Sequence, residues 1–487
     1  MSELLREHKN YIVFKYFQEI AAIPHGSGNT RAIRNYIVDL AKKHNLDHTM
    51  DPTGNIIIMR DAAPGYENSA PVMLQGHVDM VCEKESGSKH DFNLDPLSLY
   101  VEDGFLKAKE TTLGGDDGIG VSYMLALLTK EDYQGPGIEC VFTVDEETGM
   151  DGAHGLDLSK CRSDYLINLD SEKEGTFVTG CAGGSRIRAV LPIKTRIMRG
   201  YQADITISGL KGGHSGDEID KGRANAIQLM SRFLFHLLRS KATFGLLSID
   251  GGDKDNAIPR EAKASIVITS SPARLCDLAD TFRRFVSDEF AATDPDIQIT
   301  IYEAQRETEH FAITEECQNS IYLMTYAIPN GVIAMSQSIP GIPETSTNLG
   351  IVRSTGSNIE CSYLLRSSFA SRKRELIQRM TLILKSAGAQ VTYGHSYPAW
   401  EYKPESGFRK KLSKLWEKMY GSAPEVTAIH GGLECGIISS KKESLDIVSM
   451  GPDILDIHTP KERLDIESAS RVYDFLVEFL KEKAEPK

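Results

Sequence analysis

No stretch of this 487-residue chain approaches the roughly 20 consecutive apolar residues that cross a bilayer, which excludes a helical membrane span. No cluster of Lys and Arg is large enough to track a phosphate backbone, and the formal charge is −13, so nucleic acid is excluded as a partner. The eight cysteines (82, 140, 161, 181, 276, 317, 361 and 435) contain no CxxC pair. In a chain of this size they read as reduced thiols of a cytoplasmic protein, most of them packing residues. The N-terminal MSELLREHKNYIVFKYF is charged and amphipathic, and it lacks the apolar core and cleavage site of a signal peptide. There is no convincing internal repeat and no low-complexity segment.

What remains is ordinary soluble composition, with 41% hydrophobic and 25% charged residues. The length is too great for one simple core, so two domains are expected. At the start, helix and strand alternate. TRAIRNYIVDLAKKH places Ile33, Tyr36, Ile37 and Leu40 on one helical face. NIIIMR, PVMLQGHVD, GIECVFTV and DYLINLD read as strands and GIGVSYMLALLTK as a buried helix. This alternation predicts an α/β domain, its mainly parallel mixed sheet flanked by helices. Between about Ser185 and Trp400 the pattern changes to strand pairs and helices. LLSIDGG pairs with AKASIVITS, and NLGIVRS with IECSYLLRSS around STGSN. An inserted α+β domain follows. The tail (FRKKLSKLWEKMYG, SLDIVSM, ESASRVYDFLVEFLKEK) returns to the first style. The expected division is therefore a catalytic domain from residues 1–185 and 400–487, with residues 186–399 inserted as a lid or dimerisation domain.

Two histidines and a set of carboxylates stand beside the predicted strands: GHVDMV (His77, Asp79), TTLGGDDGIG (Asp116), TVDEETG (Glu146, Glu147), INLDSE (Asp170) and ILDIHTP (His458). Each motif alone has a commonplace reading. An HxD is usually a surface pair, GGDDG a turn with a capping Asp, and DEE a solvated loop. Together they are more informative. His77, Glu147 and Asp170 each closely follow a predicted strand, where open α/β sheets gather their ligands. Asp116 opens a helix, whose dipole favours a carboxylate. Imidazole and carboxylate suit zinc. Five such ligands suit two ions, each with one His and one terminal carboxylate, bridged by a third carboxylate and a shared hydroxide. Spacing alone leaves Asp116 and Asp117 as rival bridges. It also leaves open which of Glu146 and Glu147 binds metal and which moves protons. Asp79, at i+2 from His77 on an extended segment, can bond the ring's far nitrogen or a neighbouring group.

The set GHVDMV, LGGDDGIG, DEETG, NLDSE, GGHSG, GGDKDNAIP, HGGLECG and DIHTP, in order along nearly the whole chain, resembles the bacterial aminoacyl-histidine (Xaa-His, carnosinase-like) dipeptidases of the co-catalytic zinc peptidase superfamily. The resemblance implies a zinc-binding catalytic domain, a lid domain and a homodimer. It implies His77 and Asp170 on one metal, Glu147 and His458 on the other, and Asp116 as bridge. Glu146 becomes the general base and Asp79 the orienting carboxylate. On the lid, it implies that His214 stabilises the oxyanion and that Asn256 and Arg366 hold the substrate's carboxylate or carbonyl. A guanidinium fork suits a carboxylate. Gly431 and Gly432 can admit the substrate's backbone, and Glu434 can meet its ammonium. The expected activity is a cytosolic metallo-dipeptidase using two zinc ions, with manganese or cobalt as alternatives, on Xaa-His dipeptides including β-alanyl-histidine. The alternatives are a tripeptidase, an N-acyl amino acid deacylase, or a metal-dependent scaffold with a dead site. A scaffold has no need of Glu146.

Overall fold

The computed structural model describes residues 4–240, 242–269, 272–304 and 306–482. The chain forms two compact units, Met1–Thr179 with Tyr402–Thr427 and Leu433–Lys487, and Gly180–Glu401 with Ala428–Gly432.

The first unit is built on an eight-stranded sheet. Its order is Asp47–Met50, Ile56–Arg60, Ile138–Thr143, Val72–His77, Tyr165–Asn168, Asp446–Ser449, Thr176–Cys181, Glu425–Ile429. Val72–His77 runs parallel to both of its neighbours, and Asp446–Ser449 runs parallel to Tyr165–Asn168. The 47–60 edge and the pairing of Asp446–Ser449 with Thr176–Cys181 are antiparallel. The sheet is thus mixed around a parallel centre. Every residue of Val72–His77 and Ile138–Thr143 is buried. Burial on both faces explains why these strands read as continuous rather than alternating apolar runs.

Helices pack on this sheet, Arg31–Lys43 against Ile56–Arg60, Gly115–Thr129 against Val72–His77, and Gly407–Tyr420 against Asp446–Ser449. Gly115–Thr129 has no polar face, and every residue from Gly115 to Leu128 is buried. A four-stranded antiparallel sheet (Ile454–Leu455, Arg463–Asp465, Phe105–Ala108, Leu99–Glu102) adjoins the unit's core through Leu106 and Leu464. Its strands of two to four residues are too short to show a period in the sequence.

The second unit is α+β. Its ten-stranded sheet has the order Gln298–Glu303, Thr195–Ser208, Ala262–Ile268, Phe244–Gly251, Pro343–Ser354, Asn358–Ser367, Gly183–Pro192, Gln390–Tyr397. Thr308–Ile313 adds to Thr195–Ser208, and Gly331–Met335 to Pro343–Ser354. The pairing is antiparallel, and the two expected strand pairs are present. Helices Ala226–Arg239, Pro272–Glu289, Glu315–Tyr322 and Ala370–Ser386 complete the unit. Phe233, Phe282, Tyr363 and Leu376 are among the side chains of its core. Asn225 caps the first of these helices by accepting from the N–H groups of Ile227 and Gln228.

Candidate metal centre

Three neighbouring parallel strands deliver ligand candidates at their carboxyl ends. His77 is the last residue of Val72–His77, Asp170 lies two residues beyond Tyr165–Asn168, and Glu146 and Glu147 lie in the turn after Ile138–Thr143. Asp116 enters from the loop at the start of Gly115–Thr129, where its own backbone is not yet helical. His458 comes from the loop joining Ile454–Leu455 to Arg463–Asp465. Asp145 at φ 54° and His458 at φ 59° hold left-handed backbone, as do Met150 and Asp456 in the same two segments. This conformation is costly for an L-residue and gathers at functional sites.

The donor atoms converge. His77 Nε2 lies 3.0 Å from Asp116 Oδ1 and 3.5 Å from Asp170 Oδ1. His458 Nε2 lies 3.1 Å from Asp116 Oδ2 and 3.1 Å from Glu147 Oε1. Ligand atoms bound at about 2.0–2.2 Å to one tetrahedral ion sit about 3.3–3.6 Å apart. The observed separations are close to such edges, so the residues fit a pair of divalent ions. Asp116 turns one oxygen to each histidine, while Asp117 accepts instead from Gly120 N–H at 3.2 Å. The sets His77–Asp116–Asp170 and Asp116–Glu147–His458 each lie within ligand reach, and a third, His77–Glu146–Glu147, overlaps them.

The electrostatics agree. Burial works against charge on Asp116, but hydrogen bonds from His458 and His77 win and hold its carboxyl far below the usual range. Burial pushes Asp170 up against the attraction of His77, and the charges of Asp116 and Asp117 add to the rise. Glu146 is raised well above its ordinary value by burial; His77 opposes this, and the carboxylates of Glu434, Glu147 and Asp116 reinforce it. So many acids sharing one buried space are most readily reconciled by bound cations.

Asp79 lies beside both the His77 ring and the two-glutamate turn. It is its backbone carbonyl that lies at hydrogen-bond distance from His77 Nδ1, 3.0 Å, while its carboxylate is 3.6 Å away. That carboxylate accepts instead from Ser27 Oγ (2.8 Å), Glu146 N–H (3.0 Å) and Glu147 N–H (3.3 Å). These bonds brace the two-glutamate turn.

Glu434, fully buried in the first unit, accepts from Gln75 Nε2 and Thr143 Oγ1, both at 2.6 Å. Its other oxygen has no partner among the described residues. Burial lifts its carboxyl to about 7, against the attraction of His77. Sequence reasoning missed Glu462. It is 3% exposed and receives the N–H groups of Leu113, Gly114, Gly115 and Asp116.

The remaining candidates belong to the second unit. His214 ends one strand of the two-stranded ribbon Gly213–His214/Ala257–Ile258 and pairs with Ala257, Asn256 directly precedes the other strand, and Asn256 C=O accepts from Ser215 N–H at 2.8 Å. His214 Nδ1 lies 2.8 Å from Asp217 Oδ2, a partner three residues away in the same loop. Arg366 is 5% exposed, donates to Tyr397 Oη at 2.7 Å and keeps a buried Nε without a partner among the described residues. Gly216 separates the two. A Cβ there would lie 3.0 Å from the His214 ring and 3.4 Å from the Arg366 guanidinium carbon. The segment Ala428–Gly432 brings His430, whose Nε2 lies 2.7 Å from Ser346 Oγ, together with Gly431 and Gly432. A Cβ at Gly431 would make only ordinary contacts.

A parallel-centred α/β unit with paired histidines and carboxylates at its strand ends defines a metallohydrolase. Residues 73–482 match the model of peptidase family M20/M25/M40, and the chain belongs to that family. It is 36% identical over 469 residues, 96% of each chain, to the cytosol non-specific dipeptidase of Escherichia coli K12. The crystal structure of aminoacylhistidine dipeptidase from Vibrio alginolyticus matches with a TM-score of 0.89 at 34% identity, covering 98% of each chain. A Staphylococcus aureus tripeptidase matches with a TM-score of 0.57 at 17% identity, over 97% of this chain and 98% of its own, and shares the fold. Among the described residues no helix is long and apolar enough to cross a membrane.

Proposed function

We propose that this protein is a cytoplasmic two-metal dipeptidase that hydrolyses Xaa-His dipeptides, β-alanyl-histidine among them. The observation that carries the reading is Asp116, with one oxygen facing His77 and the other His458. His77 and Asp170 would hold one ion, Glu147 and His458 the other, and Asp116 would be shared between them. Zinc suits the donor set, and manganese or cobalt can replace it. Two such ions, when bound, supply a water of lowered pKa and polarise the scissile carbonyl.

The chain's own groups do the rest. Glu146 takes the proton from the attacking water and delivers it to the leaving amine. Asp79 holds the turn that aims it. Glu434, with a buried oxygen that has no partner among the described residues, is suited to the substrate's ammonium. This favours a free amino terminus over an N-acyl substrate. Asn256 and Arg366 take the C-terminal carboxylate, and His214 donates to the developing oxyanion, from the same chain or a partner in a homodimer. Gly431 and Gly432 leave backbone open to the substrate. The inserted unit is the lid and dimerisation domain. Support for the substrate comes from the likeness to a dipeptidase and to an aminoacylhistidine dipeptidase.

The test is a panel of Xaa-His dipeptides, other dipeptides, tripeptides and N-acyl amino acids, assayed with defined zinc, manganese or cobalt. Preferential turnover of Xaa-His dipeptides is expected. Preference for tripeptides or acyl amino acids would replace the substrate and keep the site. No hydrolysis of any would leave a scaffold.

A further inference from the structure

We infer that Glu462 is a positioning residue for both metal sites, although it belongs to neither ligand set. The inference rests on the two-metal reading above. Glu462 lies four residues after His458, at the end of the loop that carries that ligand. Its carboxylate reaches the other ligand loop. Oε2 accepts from Leu113 N–H at 2.7 Å and Gly114 N–H at 3.1 Å; Oε1 accepts from Gly115 N–H at 2.7 Å and Asp116 N–H at 3.4 Å. Four successive N–H groups converge on one carboxyl group, a backbone nest. All four are shielded from water, since Glu462 is 3% exposed.

The glycines of TTLGGDD are shaped for this contact. Gly114 is left-handed at φ 67°, and a Cβ there would lie 3.0 Å from Met80 Sδ. A Cβ on Gly115 would lie 3.1 Å from Glu462 Oε1, closer than most real contacts. The segment is therefore a receptor for this carboxylate, and its last N–H belongs to Asp116. At the other end of the tie, Glu462 N–H bonds Thr459 C=O at 3.1 Å, and Thr459 Oγ1 bonds Asp456 C=O at 2.7 Å. The side chain thus clamps the bridging carboxylate and the distal histidine into one frame. Asp116 serves both ions, so loosening the clamp weakens both sites together.

The experiment is metal binding, without substrate. Metal-free full-length protein, Glu462→Gln and Gly115→Ala are titrated with Zn2+ against a chromophoric chelator, and with Co2+ followed by its ligand-field spectrum. Glu462→Gln keeps the side chain's size and removes its charge and one acceptor. Gly115→Ala keeps the carboxylate and crowds it, and its backbone tolerates a side chain. Unmodified protein is expected to bind two ions. Both variants should lose affinity for both ions, by the roughly 10–100-fold typical of residues that orient metal ligands, with an altered Co2+ spectrum. Circular dichroism separates this from unfolding. If Glu462→Gln does not fold, Gly115→Ala decides alone. Unchanged affinity in a folded variant, or loss at one site only, would overturn the inference while the two-metal reading stands. Fewer than two ions on the unmodified protein would overturn that reading, and the inference with it.

Discussion

Glu146 and Glu147 are adjacent, yet only Glu147 has an oxygen 3.1 Å from His458. If Glu147 is the ligand and Glu146 the base, Glu146→Gln keeps two ions per chain while kcat falls by about 10²–10⁴-fold, the usual worth of general-base catalysis. Glu147→Gln loses metal. Metal content and kcat measured on the same preparations check this, and the opposite pattern means the roles are exchanged. Arg366 invites a second test. Its buried Nε has no acceptor among the described residues. Amidating the substrate's C-terminus removes the charge that Arg366 is proposed to hold, and should cost about 1.5–3 kcal/mol in kcat/KM. Arg366→Ala should erase most of that difference. Equal turnover of free and amidated dipeptides by the unmodified protein would remove Arg366 from carboxylate recognition. The candidate ligands that converge here could be picked out in the sequence because metal chemistry restricts the side chains that serve it. Glu462 was not, because KERLD reads as a solvated, charged turn. What marks it out is a fourfold backbone contact with residues more than 300 positions away.

Elements were legible wherever a period or a burial pattern ran long enough. The helices Arg31–Lys43 and Gly115–Thr129 and the central strands of the first unit match the pattern of the sequence. The small sheet around Ile454–Leu455 and Arg463–Asp465 did not show, and it supports the loop of His458. Nor does composition reveal that Ala428–Gly432 joins the second unit, since five residues carry no signal of the core they contact. That segment has a measurable signature. Burial, with the nearby Arg366 charge, lowers His430 to about 4. The folded chain therefore prefers the neutral ring. Its contribution is intact above the unfolded value of about 6.5 and is lost as the pH falls toward 4, about 3 kcal/mol in all. Each unit carries one tryptophan, Trp416 the first and Trp400 the second. In a Trp416→Phe background, denaturant unfolding followed by Trp400 fluorescence should show this acid-side loss, and His430→Gln should flatten it. An unchanged acid limb would mean that His430 is not held neutral by the fold.

At the scale of the whole molecule, the two units have different physical tasks. The first gathers five candidate ligands from five separate segments at the ends of its strands and in two glycine- or turn-rich loops. The second offers a histidine, an asparagine and an arginine from one antiparallel sheet and its ribbon. The α/β and α+β characters were readable from the change of pattern near the start of the second unit. The division itself follows contacts, not composition. All the chemistry proposed here depends on one shared carboxylate. The most direct test is the metal content of the purified chain, by elemental analysis after equilibration with excess zinc and removal of free ion, for the unmodified protein and for Asp116→Ala. Two ions per unmodified chain, with both weakened together in Asp116→Ala, is the predicted result. One ion or none on the unmodified chain, or the loss of a single ion from the variant, would contradict it.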